Sequence, residues 1–226
     1  MCGRFVQSSS TPVLARLLGL EVPARWPSRY NLAPTEEATA AIWQSGAATL
    51  VRLLWGMIAT PRADSAVAAR LLINARSETV SSHSTFRRAL ARHRAVIPAD
   101  AFYEWSGPAN RRQPWLIRPV AGHGALFFAA IWQPTGSSER RFALITRPAT
   151  GVLRRLHHRM PAMLAAGAVE GWIAPRARPE ALVETLCRQS PPDLEFYRVS
   201  REVNRAGPDH PGLMEPATDS APSLFD

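Results

Sequence analysis

Apolar positions fall along the chain in short runs broken by glycine, proline and charge, and their period alternates between that of strands and that of helices. Cys2 to Val6 reads as a short strand, and Val13, Leu14, Leu17 and Leu18 sit at helical spacing over Thr11 to Leu18, with Gly19 as a stop. Residues 21 to 35 hold three prolines and predict an ordered loop. Ala38 to Trp43 and Ala48 to Trp55 flank Ser45-Gly46, a hairpin signal. Gly56 to Ala69 is a small-residue loop leading to the apolar run Leu71-Leu72-Ile73, which Asn74 follows. Ser84 is placed to cap a helix over Thr85 to His93. Strand patterns follow at Ala95 to Pro98, Ala101 to Trp105, Trp115 to Val120, Ala125 to Trp132 and Arg141 to Thr146. Helical patterns return at Thr150 to Leu156, Ala168 to Ile173 and Pro179 to Arg188, before a last strand at Glu195 to Ser200. The alternation predicts an α+β fold, a mostly antiparallel, barrel-like β core of short strands with several short peripheral helices. One domain is expected over residues 1–205. Ala206 to Asp226, with four prolines, four acidic residues and few large apolar groups, is expected to be a disordered tail.

Composition narrows the class. There is no apolar run of about 18 residues and no basic segment followed by an apolar one at the start, so neither a membrane span nor a signal peptide is expected. A cytoplasmic protein is the expectation. Cys2 and Cys187 lie at opposite ends of the chain, which offers neither a disulfide framework nor zinc-ligand spacing, and no metal or cofactor is expected. Cys187, inside a helical pattern, reads as a core residue. The net charge is +9, and all 27 basic residues are arginine. Arginine forks suit bidentate phosphate contacts, so a polyanionic partner competes with the plainer reading of genome composition and solubility. Without lysine, only the amino terminus can form an imine.

That terminus reads Met1-Cys2-Gly3-Arg4. Loss of Met1 would leave Cys2 as a 1,2-aminothiol, with an amine of reference pKa about 7.7 to 8.0 beside a thiol of about 8.5. Such a pair traps aldehydes: the amine condenses to a Schiff base and the sulfur closes a five-membered thiazolidine. In other surroundings the sulfur attacks an amide. The plainer alternative is that Cys2 is a small buried hydrophobe.

Four phrases stand out: Asn74-Ala75-Arg76-Ser77-Glu78-Thr79, Pro98-Ala99-Asp100-Ala101-Phe102-Tyr103-Glu104-Trp105, His157-His158-Arg159-Met160-Pro161 and Val199-Ser200-Arg201-Glu202-Val203-Asn204. With Met1 to Phe5 and Arg29-Tyr30-Asn31-Leu32-Ala33-Pro34-Thr35, in this order, the chain resembles the SRAP (SOS response-associated peptidase) family of abasic-site-processing proteins over roughly residues 1 to 205. The resemblance implies that Cys2, unmasked by autocatalytic loss of Met1, bonds to the ring-opened aldehyde of an abasic deoxyribose in single-stranded DNA. It also implies that Asn74, Glu104 and His157 complete the catalytic site, that strand cleavage by β-elimination can accompany the cross-link, and that the protein works in the bacterial cytoplasm or nucleoid. Asn31 and Trp105, within the quoted phrases, join Arg4, Arg76 and Arg159 as DNA-contact candidates.

Each residue also has a reading of its own. Glu104, between Tyr103 and Trp105, would be partly desolvated and suited to proton shuttling, or else salt-bridged at a strand edge. His157 could protonate the ring oxygen of the closed sugar. If the segment is extended, His158 points to the other face, although an adjacent histidine pair can also be a surface feature. Asn74 could position the amine or a sugar hydroxyl, or simply form a turn. Arg4, Arg76 and Arg159 each lie within two residues of a proposed catalytic group and suit flanking phosphates.

The chain departs from the family pattern in three places. Trp55-Gly56-Met57-Ile58-Ala59-Thr60-Pro61 lacks a second aromatic expected to stack on DNA, Gln133 stands where glutamate is usual, and Arg147-Pro148-Ala149 lacks an acidic residue. Two competing readings are an N-terminal-nucleophile amidohydrolase of the glutaminase type and a non-covalent single-stranded nucleic-acid binder. The ending Ser223-Leu224-Phe225-Asp226 is a candidate contact for a replication clamp through Leu224-Phe225, without the glutamine expected before it.

Overall fold

The protein was analysed as a computed structural model, which describes residues 2–22, 24–59, 70–120, 124–136, 139–175 and 178–217. The first half supplies β1 (Phe5–Gln7), α1 (Ser10–Leu17), β2 (Arg29–Leu32), β3 (Glu37–Gln44), β4 (Ala47–Trp55), β5 (Met57–Ala59), β6 (Arg70–Leu72), β7 (Asn74–Arg76), α2 (Arg87–Arg92), β8 (Arg94–Ala99) and β9 (Ala101–Ser106). The second half supplies β10 (Gln113–Pro119), β11 (Leu126–Thr135), β12 (Glu139–Pro148), β13 (Arg159–Pro161), α3 (Val169–Ile173), α4 (Pro179–Arg188) and β14 (Leu194–Arg198).

Five strands close into a barrel. β8 pairs with β3 and β11, β11 pairs with β12, and β3 pairs with β4, all antiparallel. The ring closes where β12 meets β4 in parallel, at Arg141↔Leu54 and Phe142↔Trp55. Alternation along these strands fills both faces. In β11, Phe128 and Ala130 point into the barrel with Phe5, Trp55 and Phe142, whereas Phe127, Ala129 and Ile131 lie under helices α1 to α4. Burial on both faces explains why β11 reads as a continuous apolar run. The Ser45-Gly46 hairpin takes positive φ at both turn residues, 53° and 86°, as a tight two-residue connection requires.

A second antiparallel sheet, in the order β14-β10-β9-β1-β2, packs against the barrel. Gln7 joins the two. Buried at the end of β1, its side-chain amide donates to the carbonyls of Thr39 (3.0 Å) and Pro98 (2.8 Å) and accepts from the Thr39 N–H (2.7 Å), spanning β3 and β8.

Several expectations need correction. The proline-rich loop over residues 21 to 35 contains β2, because Leu32 and Arg29 pair with Phe5 and Gln7. Asn74 follows β6, as the apolar run predicts, and itself opens a further strand, β7, which pairs in parallel with β12. Ser84 does not cap α2; the residue before that helix is Phe86, with no side-chain cap. Thr150 to Leu156 is a single 3-10 turn over Gly151–Arg155 rather than an α-helix. Residues 206–217, expected in a disordered tail, are packed: Leu213 is fully buried, and Asp209 accepts from the Arg29 side chain and the Asn31 N–H. Leu224 and Phe225 lie outside the described residues. No helix among the described residues is long and apolar enough to cross a membrane.

Candidate functional site

The four residues assigned to catalysis come from four separate stretches. Cys2 precedes β1 and is fully buried in the barrel cluster with Phe5 and Trp55, its thiol reaching the Arg4 carbonyl at 3.7 Å. Asn74, at the start of β7, donates its side-chain amide to the Cys2 carbonyl at 2.9 Å. The parallel pairing Leu144↔Asn74 sets that position. The Asn74 Oδ1 is buried and has no hydrogen-bond partner among the described residues.

Glu104 sits mid-strand in β9 and is 4% exposed. Alternation puts it on the same face as Phe102, which belongs to the barrel cluster with Cys2, while Tyr103 lies on the opposite face with Val6 and Leu116. The flanking Tyr103 and Trp105 therefore do not supply the desolvation expected of them; the barrel side does. Burial raises the Glu104 carboxyl to about 7, with the charge of the chain's amino terminus opposing the rise. Burial and the Glu104 charge in turn push the Cys2 thiol far above its usual range. The two groups are electrostatically coupled, and a carboxyl near 7 exchanges protons at neutral pH.

His157 follows the 3-10 turn, its N–H donating to the Leu153 carbonyl at 3.0 Å. The segment is not extended here. His157 and His158 stack, ring centroids 4.3 Å apart, rather than facing opposite ways. His157 Nδ1 lies 2.9 Å from the Arg159 N–H and 3.2 Å from the Arg159 carbonyl; because the nearer group can only donate, it favours Nδ1 as an acceptor and the proton of the neutral ring on Nε2. Burial, followed by the amino-terminal charge and His158, lowers the His157 pKa.

The candidate DNA-contact residues divide into three groups. Arg4 spends its guanidinium internally, on Asn31 Oδ1 (2.8 Å) and the carbonyls of Val203 (3.0 Å) and Arg205 (3.2 Å), and buried Asn31 donates to the carbonyls of Arg205 and Pro208. Arg159 is 7% exposed, with both terminal nitrogens on Glu78 and one of them also on the Thr146 carbonyl at 2.6 Å. Arg76 is exposed, without an ion pair among the described residues. Trp105 donates its indole N–H to Asn204 at 2.7 Å and lines a cavity of about 420 Å³ with Arg111, Arg112 and Arg201. Those three arginines and Asn204 are absent from the sequence-derived set. Arg201 and Asn204 lie in the fourth quoted phrase; Arg111 and Arg112 carried no signal beyond charge.

A family model described as SOS response associated peptidase (SRAP) matches residues 1–206. The chain is 28% identical over 223 residues to the abasic site processing protein YoqW of Bacillus subtilis, covering 95% of this chain and 99% of that protein. It is 27% identical over 227 residues to the abasic site processing protein YedK of Escherichia coli, covering 96% of this chain and 100% of that one. Among solved structures, a phage-related protein from Bordetella bronchiseptica superposes with a TM-score of 0.72 at 27% identity, over 88% of this chain and 95% of the other.

Proposed function

Because the chain belongs to the SRAP family, we propose that it processes abasic sites in DNA, with Cys2 as the group that bonds to the lesion after Met1 is removed. The observation that carries this reading is Glu104, a buried carboxyl lifted to about 7 and coupled to Cys2. Imine formation needs a group that gives a proton to the departing water and takes one back, and an ordinary carboxylate is too weak an acid–base catalyst near neutrality.

The sequence of steps assigns each residue one task. Hydrolysis of the Met1–Cys2 peptide, with Glu104 activating the water, releases methionine and frees the Cys2 amine. His157 passes its Nε2 proton to the ring oxygen of the closed sugar while the C1 hydroxyl proton returns to Nε2, so the sugar opens to the aldehyde and the imidazole ends neutral. The amine adds to the aldehyde carbon and water leaves, giving an imine. The Cys2 sulfur then bonds to that carbon while the thiol proton ends on the nitrogen, closing the thiazolidine. Burial keeps the thiol protonated until the imine forms, so the amine reacts first. The Asn74 amide fixes the Cys2 carbonyl, and its buried Oδ1 is an acceptor for the freed amine or a sugar hydroxyl. The imine also acidifies the adjacent sugar carbon, so β-elimination of the 3′ phosphate competes with ring closure and gives lyase activity.

The substrate we assign is single-stranded DNA, which presents the lesion without a partner strand. A net charge of +9 attracts it, and exposed Arg76 with the Trp105 cavity offers phosphate and stacking contacts that carry no base information. Arg4, Asn31 and Arg159 serve this interface from behind, by shaping it.

The test is intact mass spectrometry of untagged protein before and after incubation with a single-stranded oligonucleotide carrying one abasic site. The expected masses are protein less one methionine, and then a heat-stable adduct of protein plus DNA minus one water. Loss of Met1 with no adduct would overturn the reading in favour of amide hydrolysis.

A further inference from the structure

Between Asn74 and His157 lies a polar knot that the steps above do not use. Glu78, two residues beyond β7, accepts both terminal nitrogens of Arg159, at 2.9 Å for Nη2 to Oε2, and its Oε2 also accepts from the Ser77 hydroxyl at 3.1 Å. The Arg159 Nη2 reaches on to the Thr146 carbonyl at 2.6 Å, and the same carbonyl accepts the Ser77 N–H at 2.8 Å. Thr146 is in turn the β12 residue that pairs with Arg76 of β7 and with Pro161 of β13. Through Arg159, this carboxylate therefore ties β13 to β12 and to the turn after β7, and the residue it grips sets its main-chain N–H 2.9 Å and its carbonyl 3.2 Å from His157 Nδ1, the N–H being the nearer.

We infer that Glu78 is a positioning residue: by fixing Arg159, it holds the Arg159 N–H against His157 Nδ1 and so keeps the ring proton on Nε2. Burial gives this force. Arg159 is 7% exposed, so its guanidinium needs a fixed anion, and Glu78 is the carboxylate within reach among the described residues. The carboxyl is held at about 2, chiefly by its hydrogen bonds from Arg159, so the grip persists at neutral pH. Without it, Arg159 must turn outward to water. The short β13 would shift with it, and His157 Nδ1 would lose its donor. A neutral imidazole freed at Nδ1 populates both tautomers, and the Nδ1–H form presents a lone pair, not a proton, where the sugar oxygen would sit.

The inference rests on His157 being the proton donor for its catalytic consequence, but not for its structural one. The experiment therefore reads the tautomer first, without DNA. In ¹⁵N spectra of histidine-labelled protein near pH 8, the native His157 ring is expected to show an unprotonated Nδ1 and a protonated Nε2. Glu78→Ala is expected to bring the two shifts toward a mixed average, Glu78→Asp to retain most of the native signature, and cross-linking to slow about tenfold for Glu78→Ala, as a loss of one placed proton donor implies. Glu78→Gln keeps the volume and one acceptor, and serves if Glu78→Ala does not fold. A His157 signature unchanged in these variants overturns the inference, whatever the rate does. A changed tautomer with an unchanged rate leaves the positioning in place and instead removes His157 from the proposed steps.

Discussion

Asn74 Nδ2 lies 2.9 Å from the Cys2 carbonyl, so a strand held in the barrel by parallel pairing with β12 is hooked directly to the chain's first residues. The bond makes Cys2 a fixed point of the fold rather than a frayed end. Removing it by Asn74→Ala should leave the barrel folded, since one hydrogen bond contributes about 1 kcal/mol net. Cross-link formation should slow by about 10- to 100-fold, because the loss falls on the placement of the reacting amine. Single-turnover rates on an abasic oligonucleotide check this, and native rates would remove Asn74 from the site.

Glu104 predicts opposite effects on stability and activity. Its folded pKa, about 7, lies above its ordinary value of 4.5, so the folded state binds the proton more tightly. The stability this gives is fully present below about pH 4.5 and is lost as pH rises through 7, leaving a cost of about 3 kcal/mol above that. Glu104→Gln removes the charge. The variant should unfold at higher denaturant than the native protein at pH 8, match it at pH 4, and neither lose Met1 nor form adduct. Equal stability at both pH values would mean that Glu104 is ionised without strain and is not tuned for proton transfer.

Cys2→Ser separates the two bonds to the sugar. Serine keeps the amine, so a Schiff base still forms and borohydride should trap it, but the hydroxyl is too weak a nucleophile to give the heat-stable ring. More lyase product is also expected, because the imine persists. A heat-stable adduct from this variant, without reductant, would exclude the thiazolidine.

The sequence marked the candidate site residues more clearly than their surroundings. Cys2, Asn74, Glu104 and His157 stood out as candidates because each is a reactive type in a distinctive phrase. The closed barrel was only outlined: antiparallel neighbours follow from alternation, whereas the parallel closure at Phe142↔Trp55 joins strands far apart in the chain and leaves no local trace. β2 was hidden because prolines mark turns without forbidding the four residues between them. The contact candidates exposed a similar limit. Arg4 and Arg159 look alike as isolated arginines near a site, yet one is consumed by Asn31 and carbonyls and the other by Glu78, pairings set by tertiary distance. Charge type is written in sequence, and charge pairing is not.

Arg94 illustrates this for stability. Buried at the start of β8, its guanidinium donates, among the described residues, to backbone carbonyls: Leu90 and Ala91 at the end of α2, and Trp172 and Ala174 at the end of α3. A cation there satisfies two helix C-termini at once. Arg94→Met would leave those carbonyls buried and unpaired, and should lower unfolding free energy by about 3 kcal/mol with little change in denaturant slope. Arg94→Lys, which keeps charge but not the fork, should fall between. A loss below 1 kcal/mol for Arg94→Met would show that water replaces the guanidinium.

The segment after Arg205 makes the last prediction. Leu213 is fully buried with Val6, Tyr103 and Val199, the Tyr197 hydroxyl donates to the Met214 carbonyl at 2.9 Å, and the Ala217 N–H reaches the Arg198 carbonyl at 2.8 Å. Asp209 closes the strap by accepting the Arg29 side chain and the Asn31 N–H, and Asn31 is the residue that Arg4 grips. The strap thus reaches the strand that carries the amino terminus. Truncation after Ala217 should leave melting and cross-linking unchanged, whereas truncation after Arg205 should lower stability by at least the roughly 3 kcal/mol of a buried leucine and slow the reaction as well. Leu213→Ala isolates the packing part of that loss. Identical melting of the two truncations would mean that residues 206–217 hold nothing in place, and Arg4 would then owe its position to Asn31, Val203 and Arg205.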